Sequence, residues 1–130
     1  MAISSQSEAD FSFKSKPSKW SKKEVLGHLI DSGIYNLQRF TEIQFKEKPY
    51  RIQSYAQNEL VKAHRYQEAE TGELVNLLLT LNKRISDLMR NQNDESLKYQ
   101  VLSDDAQFDL EFLMRDYVAH FKHHCQQIIS

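Results

Sequence analysis

One cysteine, two prolines and three glycines are all that 130 residues hold of the residue types that most often staple or break a chain. Cys125 stands alone, so no internal disulfide can form, and a reducing compartment such as the cytoplasm is the expected setting. No apolar run approaches the roughly 18 residues of a membrane-spanning helix. The polar opening residues have no hydrophobic core of signal-peptide length. An excess of one charge is also lacking: 17 Lys and Arg face 18 Asp and Glu, a net charge of −1, which leaves no basic footprint for nucleic acid or an anionic membrane surface. Glycine-rich phosphate loops are missing, and alternating strand patterns are nearly so. These absences leave a soluble, single-domain protein over residues 1–130, with neither nucleic acid nor membrane as its expected partner.

What is present is helical periodicity. Residues 1–19 read as an irregular lead-in with Pro17 and several serines. Ser21-Lys-Lys-Glu24 is a capping box, preceded by Trp20 where a hydrophobic staple would sit. The helix it opens runs to about Phe45, with Val25, Leu29, Leu37, Phe40 and Ile43 on one face and Gly27 and Gly33 marking close approach or room beside a site. A shorter amphipathic stretch spans Ser54 to His64, carrying Tyr55, Leu60 and Val61. Thr71 is placed to cap a long helix to Arg90, whose stripe is Leu74, Leu77, Leu78, Leu81, Ile85 and Leu88. Residues 95–108 read as an extended or irregular connection, and Asp109 as the cap of a final helix to Ile129. Three long helices and one short one make an all-α, antiparallel up-down bundle the natural architecture.

The final helix carries the first chemical signal. His120 and His124 lie four residues apart, on or beside the stripe of Leu110, Leu113, Met114, Tyr117, Phe121 and Ile128, so two imidazoles can aim at one ion. His28, at the edge of the inward face of the first long helix, could meet them there. Three neutral imidazoles would form an open site able to hold Zn²⁺, Ni²⁺, Fe²⁺ or Mn²⁺, and ligand type does not choose among these. A helical histidine is more often a hydrogen-bonded structural residue, so spacing leaves both readings open. Glu24 and Asp116 precede His28 and His120 by one helical turn and are candidates to hold the far nitrogens of those rings. His123 projects off the stripe toward solvent, His64 has no partner in view, and Cys125 reads as a buried, inert thiol. Neither the His-Glu-x-x-His pattern nor the Glu-x-x-His pair of di-iron bundles is present.

The run Lys19-Trp-Ser-Lys-Lys-Glu-Val-Leu-Gly-His-Leu-Ile-Asp-Ser32, followed by Asn36-Leu-Gln-Arg-Phe40, resembles the DinB-like superfamily, and the ending Asp116-Tyr-Val-Ala-His-Phe-Lys-His-His-Cys-Gln-Gln-Ile128 looks like that family's last helix. The resemblance implies a four-helix bundle with a divalent metal held by His28, His120 and His124. It also implies a homodimer and metal-assisted thiol S-transferase or hydrolase chemistry, with a low-molecular-weight thiol among the expected substrates. Members carry a complete helix before the Trp-containing loop, where this chain has about ten residues, and Ile3 to Phe11 looks like the tail of such a helix. The shortened N-terminal helix would leave apolar surface for a partner chain to cover. In the enzyme reading a water or thiol activated at the metal is the nucleophile. The competing reading is a non-catalytic, metal-stabilised stress-response or interaction bundle.

Overall fold

The computed structural model describes residues 7–129; residues 1–6, which include the start of the expected lead-in and of the Ile3–Phe11 helix tail, lie outside the described residues, as does residue 130. The helices, in chain order, are α1 (Glu8–Ser12), α2 (Lys22–Glu42), α3 (Gln57–His64), α4 (Thr71–Arg90) and α5 (Leu110–Ile129). Three short strands, β1 (Tyr50–Arg51), β2 (Gln100–Leu102) and β3 (Gln107–Asp109), form one small sheet, with β1 parallel and β3 antiparallel to the central β2. The chain is an all-α bundle to which this sheet is a minor addition.

α2 opens with the reciprocal capping box read from the sequence: Ser21 N–H donates to Glu24 Oε1 and Glu24 N–H to Ser21 Oγ, both at 3.0 Å. Two glycines inside it cost about 1 kcal/mol each. Full burial of Leu26, Leu29, Ile30 and Phe40 is worth about 1.5–3 kcal/mol per side chain. Packing therefore decides the helix. Val25 to Ile30 share a core with Leu74 and Leu78 of α4 and Ile128 of α5. At the other end, Phe40 and Ile43 share a second core with Ile85 of α4 and Leu110, Leu113, Met114 and Tyr117 of α5. α4 thus runs parallel to α2, and α5 antiparallel. α3 also opposes α2, since Tyr55 before it stacks on Tyr35 while Tyr66 after it reaches back to Asp31. The helices alternate in direction, as an up-down bundle requires.

Several boundaries differ from the sequence reading. α2 stops at Glu42, with Ile43 as its cap, three residues before Phe45. The lead-in is not wholly irregular: Ser7 accepts from Asp10 N–H to cap α1, whose Phe11 is fully buried. Glu8 in turn pairs with Lys23, itself buried and donating to Ala69 O at 2.7 Å. Thr71 is not a cap. It is the first residue of α4, and its hydroxyl donates to Glu8 Oε2 at 2.7 Å, so it ties α1 to α4. Asp109 does cap α5, accepting from Phe112 N–H at 2.9 Å. Within 95–108, read as extended or irregular, the extended part is β2, whose Val101 is fully buried, and a 3₁₀ turn forms at Ser96–Lys98.

Gly27 marks a close approach, but to a turn and not to a helix. A Cβ at this position would lie 2.0 Å from Tyr66 Cδ2. Tyr66 is buried, and its hydroxyl donates to Asp31 Oδ1 at 2.6 Å. A Gly27→Ala substitution should therefore expel the Tyr66 ring, with an overpacking cost of about 1–3 kcal/mol and a similar loss from the buried hydrogen bond. Gly72→Ala, in the first turn of α4 with open space around its Cβ, should stabilise by up to about 1 kcal/mol. Thermal midpoints that move the same way in both variants would contradict the packing described.

Candidate metal centre

The antiparallel course of α2 and α5 sets the N-terminal half of one against the C-terminal half of the other. His28 arrives from α2, His120 and His124 from one face of α5. One ring nitrogen from each lies within 4.8 Å of the other two. His28 Nε2 stands 3.4 Å from His120 Nε2, and His124 Nε2 stands 3.1 Å from the same atom. Two nitrogens each about 2.1 Å from one ion are separated by about 3.4 Å in a tetrahedral site and about 3.0 Å at adjacent octahedral positions. The two separations at His120 fall within those values, while the third, between His28 and His124, lies within 4.8 Å.

The donor chemistry fits a cation as well as the distances do. His120 Nε2 faces two other imidazole nitrogens, yet it carries either one proton or one lone pair. His124 Nδ1 lies 2.7 Å from Gln127 Oε1; as that oxygen only accepts, Nδ1 carries the proton and the Nε2 lone pair points into the cluster. A shared cation satisfies converging lone pairs where a hydrogen bond could satisfy only one of them. The set of three imidazoles without carboxylate or thiolate suits Zn²⁺, Ni²⁺, Fe²⁺ or Mn²⁺.

Surroundings differ sharply among the three rings. His28 is fully buried, with the Trp20 ring 5.1 Å from its own. Burial, then the neighbouring His124 and His120, push its pKa from 6.5 down to about 4. His120 is half-buried; burial and His124 lower its pKa while the charge of Asp116 opposes the shift. His120 opens onto a cleft of about 390 Å³ bounded by Ser32, Asn36 and Arg39 of α2, Tyr55, and Asp116 of α5. His124 opens onto a second cleft of about 670 Å³ beneath Trp20 and the segment joining α1 to α2.

The carboxylate supports expected from the sequence take other parts. Glu24 does not hold His28: its carboxylate accepts from Ser21 N–H and pairs with Lys14 at 2.8 Å, and His28 Nδ1 has no hydrogen-bond partner among the described residues. A carboxylate that completes a capping box points back along the helix start, away from the ring one turn later. Asp116 lines the cleft beside His120 without a hydrogen bond to it. Gln127 was missed as the orienting group for His124, although its position three residues on is the signal that could have found it. His123 is exposed, as expected. His64 is half-exposed but not partnerless, since its Nε2 lies 3.6 Å from Asp31 Oδ1 and its ring stacks on Tyr66. Burial pushes the Cys125 thiol up, away from a reactive thiolate.

An alternating helical bundle with three histidines from its second and last helices gathered beside a cleft defines the class. The chain belongs to the DinB superfamily, whose family model matches residues 1–128. It is similar in fold to a solved structure described as "YfiT from Bacillus subtilis is a probable metal-dependent hydrolase with an unusual four-helix bundle topology". That likeness has a TM-score of 0.86 at 24% identity and covers 98% of this chain and 73% of the other. No curated protein matches the chain.

The depressed His28 pKa carries a sign. Above pH 6.5 the ring is neutral folded or unfolded; between 6.5 and about 4 the unfolded chain takes up a proton that the folded chain refuses. Stability is therefore fully present above pH 6.5 and is lost as pH falls toward about 4, by about 3 kcal/mol at most. Urea denaturation of chelator-treated protein across that window should show the loss, and His28→Gln should flatten it. An equal slope in the variant would remove His28 as the cause.

Proposed function

We propose that this chain is a divalent-metal-dependent enzyme in which His28, His120 and His124 hold the ion, acting in hydrolysis or in transfer of a low-molecular-weight thiol to a small-molecule substrate. The observation that carries this reading is the convergence of three imidazole nitrogens at 3.1 and 3.4 Å with one of them open to a cleft. When bound, a Zn²⁺, Ni²⁺, Fe²⁺ or Mn²⁺ ion would supply Lewis acidity and lower the pKa of an incoming water or thiol. His28, neutral and buried, keeps its lone pair available well below neutral pH. Gln127 fixes the tautomer and ring plane of His124. Cys125, partly buried and with its thiol pKa raised by that burial, is left out of the chemistry. The description of the fold-related Bacillus subtilis protein as a probable metal-dependent hydrolase supports hydrolysis as the first reaction to assay. A reducing, cytoplasmic setting accords with the lone cysteine.

The full burial of His28 between helices favours a second reading, in which the ion only clamps α2 to α5. The two readings separate by experiment. Tag-free protein should carry about one divalent ion per chain. His120→Ala and His124→Ala should abolish this, and Gln127→Ala should weaken affinity about 10–100-fold. Unchanged metal content in the histidine variants would refute the ligand assignment. Across a panel of amides, esters and thiol–electrophile pairs, the loaded protein should turn over at least one pair faster than His28→Ala. Equal rates throughout would leave the clamp.

Exposed apolar side chains on the long helices, Leu77 and Leu79 of α4 with Phe112 and Val118 of α5, support a homodimer. Light scattering on eluting protein should give twice the chain mass of 15.3 kDa. A mass of one chain at micromolar concentration would exclude it.

A further inference from the structure

His28, Ser32, Asn36 and Arg39 follow one another at helical spacing along one face of α2. The last three line the same cleft as His120, so the candidate metal centre stands at one end of a groove and a guanidinium at the other. Arg39 is half-buried, donates to Gln53 O, and lies 5.5 Å above the Tyr55 ring. Those contacts fix the plane of the group and use one of its five donors. Asp104, Asp105 and Asp116 border the same cleft, yet Arg39 forms an ion pair with no described residue. Burial lowers its pKa, the cost of desolvating a cation that lacks a counter-ion.

A planar guanidinium held in this way matches a carboxylate edge-on through two parallel hydrogen bonds. Separation sets the length of what lies between. Arg39 follows His28 by 11 residues, about 16 Å along the helix axis. Both side chains lean toward the N-terminus, and the longer arginine reaches further than the histidine, which brings the guanidinium to on the order of 10 Å from the imidazoles. The three aspartates set a limit on charge: one carboxylate is matched by Arg39, whereas a second anionic group would meet like charge.

We propose that the substrate is an elongated monocarboxylate whose carboxylate is anchored by Arg39 and whose reacting bond lies at the histidine end of the groove. This rests on the metal-dependent reading above and adds to it a substrate class and an anchoring residue.

The test measures binding, not turnover. The probes are the monohydroxamates of succinic, suberic and dodecanedioic acids and their methyl esters, titrated calorimetrically into zinc-loaded protein. The hydroxamate end ligates the ion, and the tail is free to reach Arg39. The suberic acid should bind about tenfold or more tighter than its methyl ester, with a smaller acid-over-ester preference for the shorter and the longer chain. Arg39→Gln should bring acid and ester to within about twofold, and Arg39→Lys should keep part of the difference, with zinc content unchanged in both. Equal binding of acid and ester, no preference for chain length, or no binding of any probe by protein carrying its zinc overturns the proposal. Should Arg39→Gln fail to fold, the comparisons on the unsubstituted chain and on Arg39→Lys still decide. Failure to take up zinc sinks the metal reading itself, while uptake without a carboxylate preference sinks the Arg39 anchor alone.

Discussion

Enclosure of α2 is the constraint from which the rest follows. Its buried residues lie on every side, and they include Lys23, His28, Asp31, Ser32 and Asn36 beside the aliphatic ones. A buried polar group without a partner costs about 1–3 kcal/mol, so each of these dictates what its neighbours must supply. Lys23 draws in Glu8 and Ala69 O and so anchors α1 and the turn before α4. Asp31 takes the Tyr66 hydroxyl and the nearby His64, which fixes the exit of α3 where Arg65 turns left-handed. Asn36 folds back on Ser32 O at 2.8 Å. His28 alone among them is answered by groups of its own kind.

That exception explains why the centre is built from two helices. The i, i+4 pair on α5 can form on any amphipathic helix and specifies little. A third imidazole from a helix that cannot turn away, with Trp20 closing over it, converts the pair into a fixed triangle. The burial that depresses the His28 pKa is the same burial that keeps its nitrogen unprotonated and available. The cost falls on acid stability.

The fold and this triangle were legible because both are written in helical periodicity. Of the stripe residues, Val25, Leu29, Phe40, Leu74, Leu78, Ile85, Leu110, Leu113, Met114, Tyr117 and Ile128 are buried, Leu37, Leu81, Leu88 and Phe121 are partly so, and Leu77 is 44% exposed, against the reading. The three histidines read from spacing and family likeness lie side by side. What stayed hidden has other causes. α1 is five residues long, too short for a period to show. β1 pairs with β2 across some fifty residues, and two- or three-residue strands leave no alternation to see. Thr71 sits where a cap would, but its hydroxyl is claimed by Glu8, a choice made by tertiary docking. Glu24 was assigned to His28 from turn spacing, and the capping box, visible in the same four residues, already engaged it. The Asp31–Tyr66–His64 group joins three elements and has no local signature at all.

Size does not decide which of the two clefts serves the centre. The one at His124 is larger, about 670 Å³ against 390 Å³. The largest share of its walls comes from the segment between α1 and α2, where Phe13 is 68% exposed, with Lys22 and Val25 of α2 and His124 and Gln127 of α5 adding to them. The smaller cleft takes half of its wall from α2 and α5, the two helices that carry the histidines, and the rest from Ile52 to Gln57 and from Ser103 to Asp105. Its polar groups are therefore fixed in the same frame as the three imidazoles: Ser32 and Asn36 by burial, Arg39 by Tyr55 and Gln53 O. Chemistry needs reacting and anchoring groups to keep their spacing to within a fraction of an ångström. Of the two clefts, only the one at His120 joins a histidine to a guanidinium held in that frame, so the anchored substrate proposed above would meet the imidazoles there.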